Sequence, residues 1–207
     1  MTVIDRETWP RREIYDFFAP MSDPFYALTF PVDVTALRRV CKSRGLPFYA
    51  ALVYGVTKAM ERVDAFLYKD RDGVIVKHER LVPSFTDLRP GSETFHIVTL
   101  EAGDSLDEFC RAAKAKSAAQ KRFIANGEWD ADELVYFSCL PWFPVTGFKN
   151  ERNADPGDSV PRVTWGRWRD EGGAVTLDLS LELNHRLLDG VHVGRFYDEL
   201  TGWINGL

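Results

Sequence analysis

The sequence predicts a single mixed α+β domain, and three observations carry that expectation. A two-residue alternation runs through positions 175–184, where Val175, Leu177, Leu179, Leu181 and Leu183 interleave with Thr176, Asp178, Ser180, Glu182 and Asn184. That period belongs to a half-buried strand. Elsewhere the apolar spacing is helical, as in Leu52, Val56, Ala59 and Val63. The 207 residues suffice for one sizeable core, and no repeat, low-complexity stretch or linker divides them. A composition 45% hydrophobic and 28% charged is that of a globular protein. The net charge of −5 argues against a nucleic-acid surface, though a local basic patch would suffice for an anionic ligand. A polar start, with no apolar run approaching about 18 residues, predicts a soluble, cytoplasmic protein. Cys41, Cys110 and Cys139 are widely spaced and odd in number, so they read as reduced thiols.

Residues 9–18 read as a short helix with Pro10 in its first turn and Ile14, Phe17 and Phe18 as its apolar side. The aromatic-rich stretch 25–32 suits a buried strand. Asp33 then caps a helix running to about Ser43 and closed by Gly45, and a second helix spans 48 to about 62. Arg71-Asp72-Gly73 turns between strands at 66–68 and 74–76. Strands follow at 81–87 and 94–100. Asp104-Ser105-Leu106-Asp107 opens a long polar helix to about Asn126, with Gly127 after it. Residues 134–140 form a central strand, 149–157 a polar loop, and 163–169 with 174–183 a hairpin. An amphipathic helix over 193–204 carries Phe196, Leu200 and Trp203.

The chemistry gathers at the end of the alternating strand. His185 falls in phase with its apolar set, so the strand delivers an imidazole toward the buried side, and Asp189-Gly190 follows. An inward-aimed imidazole that titrates near neutral pH, with a carboxylate close by, fits a general base. The blander reading is a packed histidine with Asp189 merely capping the next helix. His185-x-x-x-Asp189-Gly190 resembles the active-site motif of the chloramphenicol acetyltransferase family, a motif shared with the acyltransferase cores of 2-oxo-acid dehydrogenase complexes. Arg11-Arg12-Glu13, Phe48-Tyr49, Phe85-Thr86 with Thr94-Phe95, and Leu140-Pro141-Trp142 resemble segments of the first family in the same order. The likeness covers nearly the whole chain.

The resemblance implies a large mixed β-sheet flanked by helices, the CoA-dependent acyltransferase fold, assembled as a homotrimer with active sites between subunits. It implies an O-acetyltransferase with acetyl-CoA as cosubstrate, no permanently bound cofactor, and a small hydroxylated acceptor such as chloramphenicol, hence antibiotic resistance. By the family pattern His185 takes the hydroxyl proton and the acceptor attacks acetyl-CoA directly in a ternary complex. Asp189 pairs with an N-terminal arginine, Arg11 or, one register off, Arg12, and shapes the histidine loop. The family's serine oxyanion donor falls on Gly147, leaving Thr146, a backbone N–H or a water to replace it. Asn184 stands in place of the family's common first His and points to the opposite face. The acceptor pocket implied is Phe18, Pro24, Thr86 and Phe95, with Phe123 or Ile124, and Thr164 matches a threonine that orients the acceptor through water. For CoA the matching positions are Tyr49, Trp142 and the basic Lys149, Arg162 and Arg167, whose charges suit its phosphates. His192 brings no third ligand at metal-binding spacing, so no metal is expected, and His78 and His96 read as strand residues. Two other readings are a lipoyl-dependent acyltransferase core, and a non-catalytic trimer binding CoA or an apolar ligand, the latter motivated by Gly147 and Asn184.

Overall fold

The computed structural model describes residues 1–125, 129–153 and 155–207. A short strand β1 (Thr2–Val3) leads to helix α1 (Arg12–Phe18), strand β2 (Phe25–Asp33), and helices α2 (Thr35–Arg44) and α3 (Phe48–Glu61). Strands β3 (Tyr68–Arg71), β4 (Val74–Lys77), β5 (Val82–Leu88) and β6 (Phe95–Thr99) precede helix α4 (Leu106–Ala119). Then come β7 (Leu134–Leu140), β8 (Arg162–Gly166), β9 (Arg169–Glu171), β10 (Ala174–Asn184) and α5 (Gly190–Asn205). The main sheet runs β2-β10-β8-β7-β5-β6, with β9 also on β10, and a small sheet runs β1-β4-β3. Pairs β5–β7 and β7–β8 are parallel while β10–β2, β10–β8 and β5–β6 are antiparallel, so the expected mixed α+β architecture is present.

Local chemistry accounts for the element ends. Asp33 Oδ1 accepts the Thr35 N–H at 2.8 Å, and Gly45 closes α2 at φ 66°. Between β3 and β4, Asp72 and Gly73 both take positive φ, the geometry of a two-residue hairpin. Ser105 caps α4 by accepting the Glu108 N–H at 3.3 Å. The face of β10 carrying Leu177, Leu179 and Leu181 is sealed, and α3 packs against α2, α4 and α5 as well as β5 and β7. No helix among the described residues is long and apolar enough to cross a membrane.

Several expectations need correcting. Helix α1 starts at Arg12, after Pro10; Tyr15 is its buried residue, with its hydroxyl donating to Asp70 at 2.7 Å, while Ile14 and Phe17 are 41% and 66% exposed. Residues 64–66 form a 3-10 turn, so the strand begins at Tyr68. Helix α4 stops at Ala119 because Gln120 turns extended and its side-chain amide donates to the Ile97 carbonyl at 2.8 Å. The chain then follows β6, with Ile124 bridging Ile97; Asn126 and Gly127 lie outside the described residues. The last helix begins at Gly190, three residues before the expected start. Nor is β10 half-buried throughout: Ser180, Glu182 and Asn184 are buried on its polar side. Asn150 N–H and Arg152 Nε donate to the Glu182 carboxylate at 2.8 and 2.7 Å, and Asn184 Nδ2 donates to the carbonyls of Pro156 and Asp158. That loop roofs the strand.

Candidate active site

His185 stands one residue past β10, where pairing with β2 ends at Asn184↔Phe25. Its backbone N–H still donates to the Pro24 carbonyl at 2.8 Å, so the ladder's last bond anchors the residue. The imidazole lies between two aromatic rings. Phe18 stacks on it at 4.2 Å and 11°, and Tyr26 tilts against it at 4.7 Å and 43°. Tyr26 is fixed in turn by its hydroxyl, which donates to the Leu188 carbonyl at 3.2 Å. Both rings remove freedom from the imidazole without adding charge.

The loop after His185 is tied down by one guanidinium. Arg11 donates from Nε to the Arg186 carbonyl and from Nη2 to the His185 carbonyl, both at 2.8 Å, and forks onto the two Asp189 oxygens. Such bidentate pairs fix direction as well as distance. Arg12, the alternative by register, instead pairs with Glu7 and Asp16. The Arg11 hydrogen bonds hold the Asp189 carboxyl below the usual range against its partial burial. Asp189 Oδ1 is 3.1 Å from His185 Nδ1 but off the hydrogen-bond direction, and Nδ1 is buried without a hydrogen-bond partner. The reachable nitrogen is therefore Nε2, on a side chain that is 35% exposed. Asn184 sits on the opposite face, its Oδ1 accepting the Arg186 N–H at 3.0 Å.

The remaining predicted residues scatter. Phe18 touches the imidazole; Pro24 is buried, and its carbonyl accepts the His185 N–H. Thr86, Phe95 and Ile124 gather at the far side of the sheet, with Phe95 edge-on to Phe123 at 5.5 Å. Strands β5 and β6 are three and four places from β10, or about 14 and 19 Å at roughly 4.8 Å per strand. Thr164 is fully buried in a cross-strand row with Ser138 and Ser180, its hydroxyl donating to Asn150 Oδ1 at 3.4 Å. The Tyr49 ring packs on Phe85 and Trp165, and its hydroxyl donates to the Thr86 carbonyl at 2.9 Å. Trp142 and Lys149 are exposed. Thr146 and Gly147 are exposed too, and no described hydrogen bond or ring contact joins either to His185. Around Gly147 a Cβ would meet nothing within 4 Å. Arg162 is buried, its Nη2 donating to Asp158 at 2.8 Å.

Sequence reasoning missed Tyr26, Arg186 and the contact made by His192. Arg186 is buried, donating to Asp70 at 3.4 Å and to the Ala19 carbonyl, so it braces the loop from behind. An aromatic with a polar tip at the start of a strand was the available signal for Tyr26. His192 Nδ1 accepts the Asp189 N–H at 2.9 Å, a spacing legible as a capping position three residues after Asp189. Among the described residues no group of three or more His, Cys, Asp or Glu could hold a metal ion.

Known proteins resemble this chain along its length. The family model described as chloramphenicol acetyltransferase matches residues 1–201. Chloramphenicol acetyltransferase 2 of Escherichia coli is 28% identical over 202 residues, covering 96% of this chain and 94% of the relative. A chloramphenicol acetyltransferase of Campylobacter coli is also 28% identical, over 99% of this chain and 98% of its own. Among solved structures, a chloramphenicol acetyltransferase superposes with a TM-score of 0.88 at 21% identity, covering 99% of this chain and all of its own. The cubic core of the pyruvate dehydrogenase multienzyme complex gives 0.65 at 17% identity, covering 92% and 84%.

Proposed function

The chain belongs to the chloramphenicol acetyltransferase family, an acyltransferase family, and from that premise we propose that it moves an acetyl group from acetyl-CoA to the hydroxyl of a small acceptor, with His185 as general base. The observation that carries this reading is the imidazole itself, held between Phe18 and Tyr26 with only Nε2 reachable. In the step proposed, Nε2 takes the acceptor's hydroxyl proton while its oxygen bonds to the thioester carbonyl carbon. The tetrahedral oxyanion then collapses, the C–S bond breaks, and the imidazolium returns the proton to the CoA thiolate. No acetyl-enzyme is needed, so both substrates bind together. Asp189 and Arg11 keep the loop in shape rather than relaying the proton, because the Asp189 carboxylate is committed to the guanidinium.

One chain holds only half of this machinery. We assign the acceptor wall to Thr86, Phe95 and Ile124, and the oxyanion donors to the exposed segment of Thr146 and Gly147, all from a neighbouring copy. The assembly proposed is a homotrimer, with Trp142 and Lys149 toward CoA. The unpaired cysteines fit a reducing cytoplasm. Relatives named for chloramphenicol make a phenicol the first acceptor to try. Purified protein is mixed with acetyl-CoA, a panel of phenicols and other small alcohols, and a thiol reagent. The expected result is acceptor-dependent thiol release that falls about 100–10,000-fold in His185→Ala. Undiminished release in that variant overturns the base. Transfer to dihydrolipoamide alone would favour the lipoyl reading, and ligand stabilisation without any turnover the non-catalytic one.

A further inference from the structure

Behind the Arg11–Asp189 fork stands a group that acetyl transfer leaves without a role. His192 is the third residue of α5, and its Nδ1 accepts the backbone N–H of Asp189, the residue that caps the helix. That N–H is among the helix-start donors with no partner inside the helix. Reaching back to it from this position is the half of a capping box ordinarily made by Glu or Gln. A ring nitrogen can make that bond only through its lone pair, so the imidazole is neutral there and carries its proton on Nε2.

We propose that His192 is a positioning residue: by accepting the Asp189 N–H it fixes the backbone from which the carboxylate meets Arg11 and flanks His185, and the site works only while this ring is neutral. The inference rests on His185 as the base. Protonation would turn an N–H toward an N–H, losing the bond to the Asp189 backbone and leaving that residue held by Arg11. The charged and titratable groups facing the ring are Asp189 and Arg11, Arg195 and Glu199 on its own helix, and Arg62, Asp64 and Tyr68 across a narrow cleft. Burial, and then the Arg11 guanidinium, lower its pKa from the ordinary 6.5, so neutrality is favoured in the folded protein. Small displacements near reacting groups are costly, since about 1 Å of misplacement can lower a rate about 100-fold.

Two variants separate this role from simple packing. His192→Phe keeps an aromatic ring and removes the acceptor; His192→Gln keeps an acceptor that cannot titrate. The Phe variant should lose about 10–100-fold in kcat, with KM for both substrates within about twofold. The Gln variant should stay within about threefold of wild type, and its log kcat should fall in acid with a slope of about one, where wild type steepens toward two. ¹⁵N NMR of the wild-type protein should find the His192 proton on Nε2 at neutral pH. A Phe variant with wild-type kcat, a Gln variant as impaired as the Phe variant, or a proton on Nδ1 overturns the proposal. The NMR reading needs no turnover, so a protein that moves no acetyl group refutes the reaction while the His192 contact is still decided.

Discussion

Arg11 concentrates several duties in one side chain: it holds two loop carbonyls and both oxygens of Asp189 while only 10% exposed. Lysine could keep the charge but not the planar fork, so Arg11→Lys should lose about 10–100-fold in kcat even if it folds normally. Arg11→Ala should also destabilise, by about 1–3 kcal/mol at pH 7, because it leaves a partly buried carboxylate without its partner. The pH sign follows from Asp189, whose folded pKa the guanidinium lowers from 3.8. A lowered carboxyl pKa contributes stability that is present above the unfolded value and lost as pH falls through the folded one. The deficit of Arg11→Ala against wild type should therefore be full at neutral pH and shrink below about pH 4, as chemical denaturation across pH would measure. A deficit that is constant with pH would mean that Asp189 is not the partner that matters.

At the scale of elements, α3 depends on a missing side chain. A Cβ at Gly55 would come within 2.1 Å of the Trp203 ring on α5. Alanine is the better helix former by about 1 kcal/mol, yet the overpacking should win and Gly55→Ala should lose about 1–3 kcal/mol. Thermal unfolding would register this as a lower Tm, and a higher one would show that the ring yields freely. The same logic separates what was legible from what was not. Alternation along β10 and helical spacing through α3 were readable because each element decides its own period. The burial of Glu182 was not, since its partners Asn150 and Arg152 come from a loop some thirty residues earlier. Helix α1 spans only seven residues, too few for periodicity to tell Tyr15 from Ile14 and Phe17. At the site, the His185–Asp189 spacing was local and readable, whereas Tyr26 and Arg186 reach the loop through strand pairing and long-range bonds.

For the molecule as a whole, the two halves of the proposed site lie on different parts of one surface. On the helix that supplies Phe18, Ile14 and Phe17 are exposed, as is Met21 just after it; on the β5–β6 side, Leu88, Phe95, Phe123 and Ile124 are exposed. Apolar groups so distributed are what a monomer ordinarily covers, and each half lacks what the other supplies. Closing the proposed site by pairing unlike patches of identical chains is a heterologous contact, which makes a ring such as the proposed trimer when its rotation closes. That geometry makes a quantitative prediction. A chain with His185→Ala keeps the acceptor wall and loses the base; a chain with Phe95→Arg keeps the base and blocks the wall at an exposed position. Each should be inactive alone. Refolded together in equal amounts, a site is intact only when its base comes from the second chain and its wall from the first. Random mixing satisfies both conditions at about one contact in four, so thiol release should return to about one quarter of the wild-type rate. If base and wall instead met within a single chain, every chain in the mixture would carry one lesion at its own site and release would stay at background.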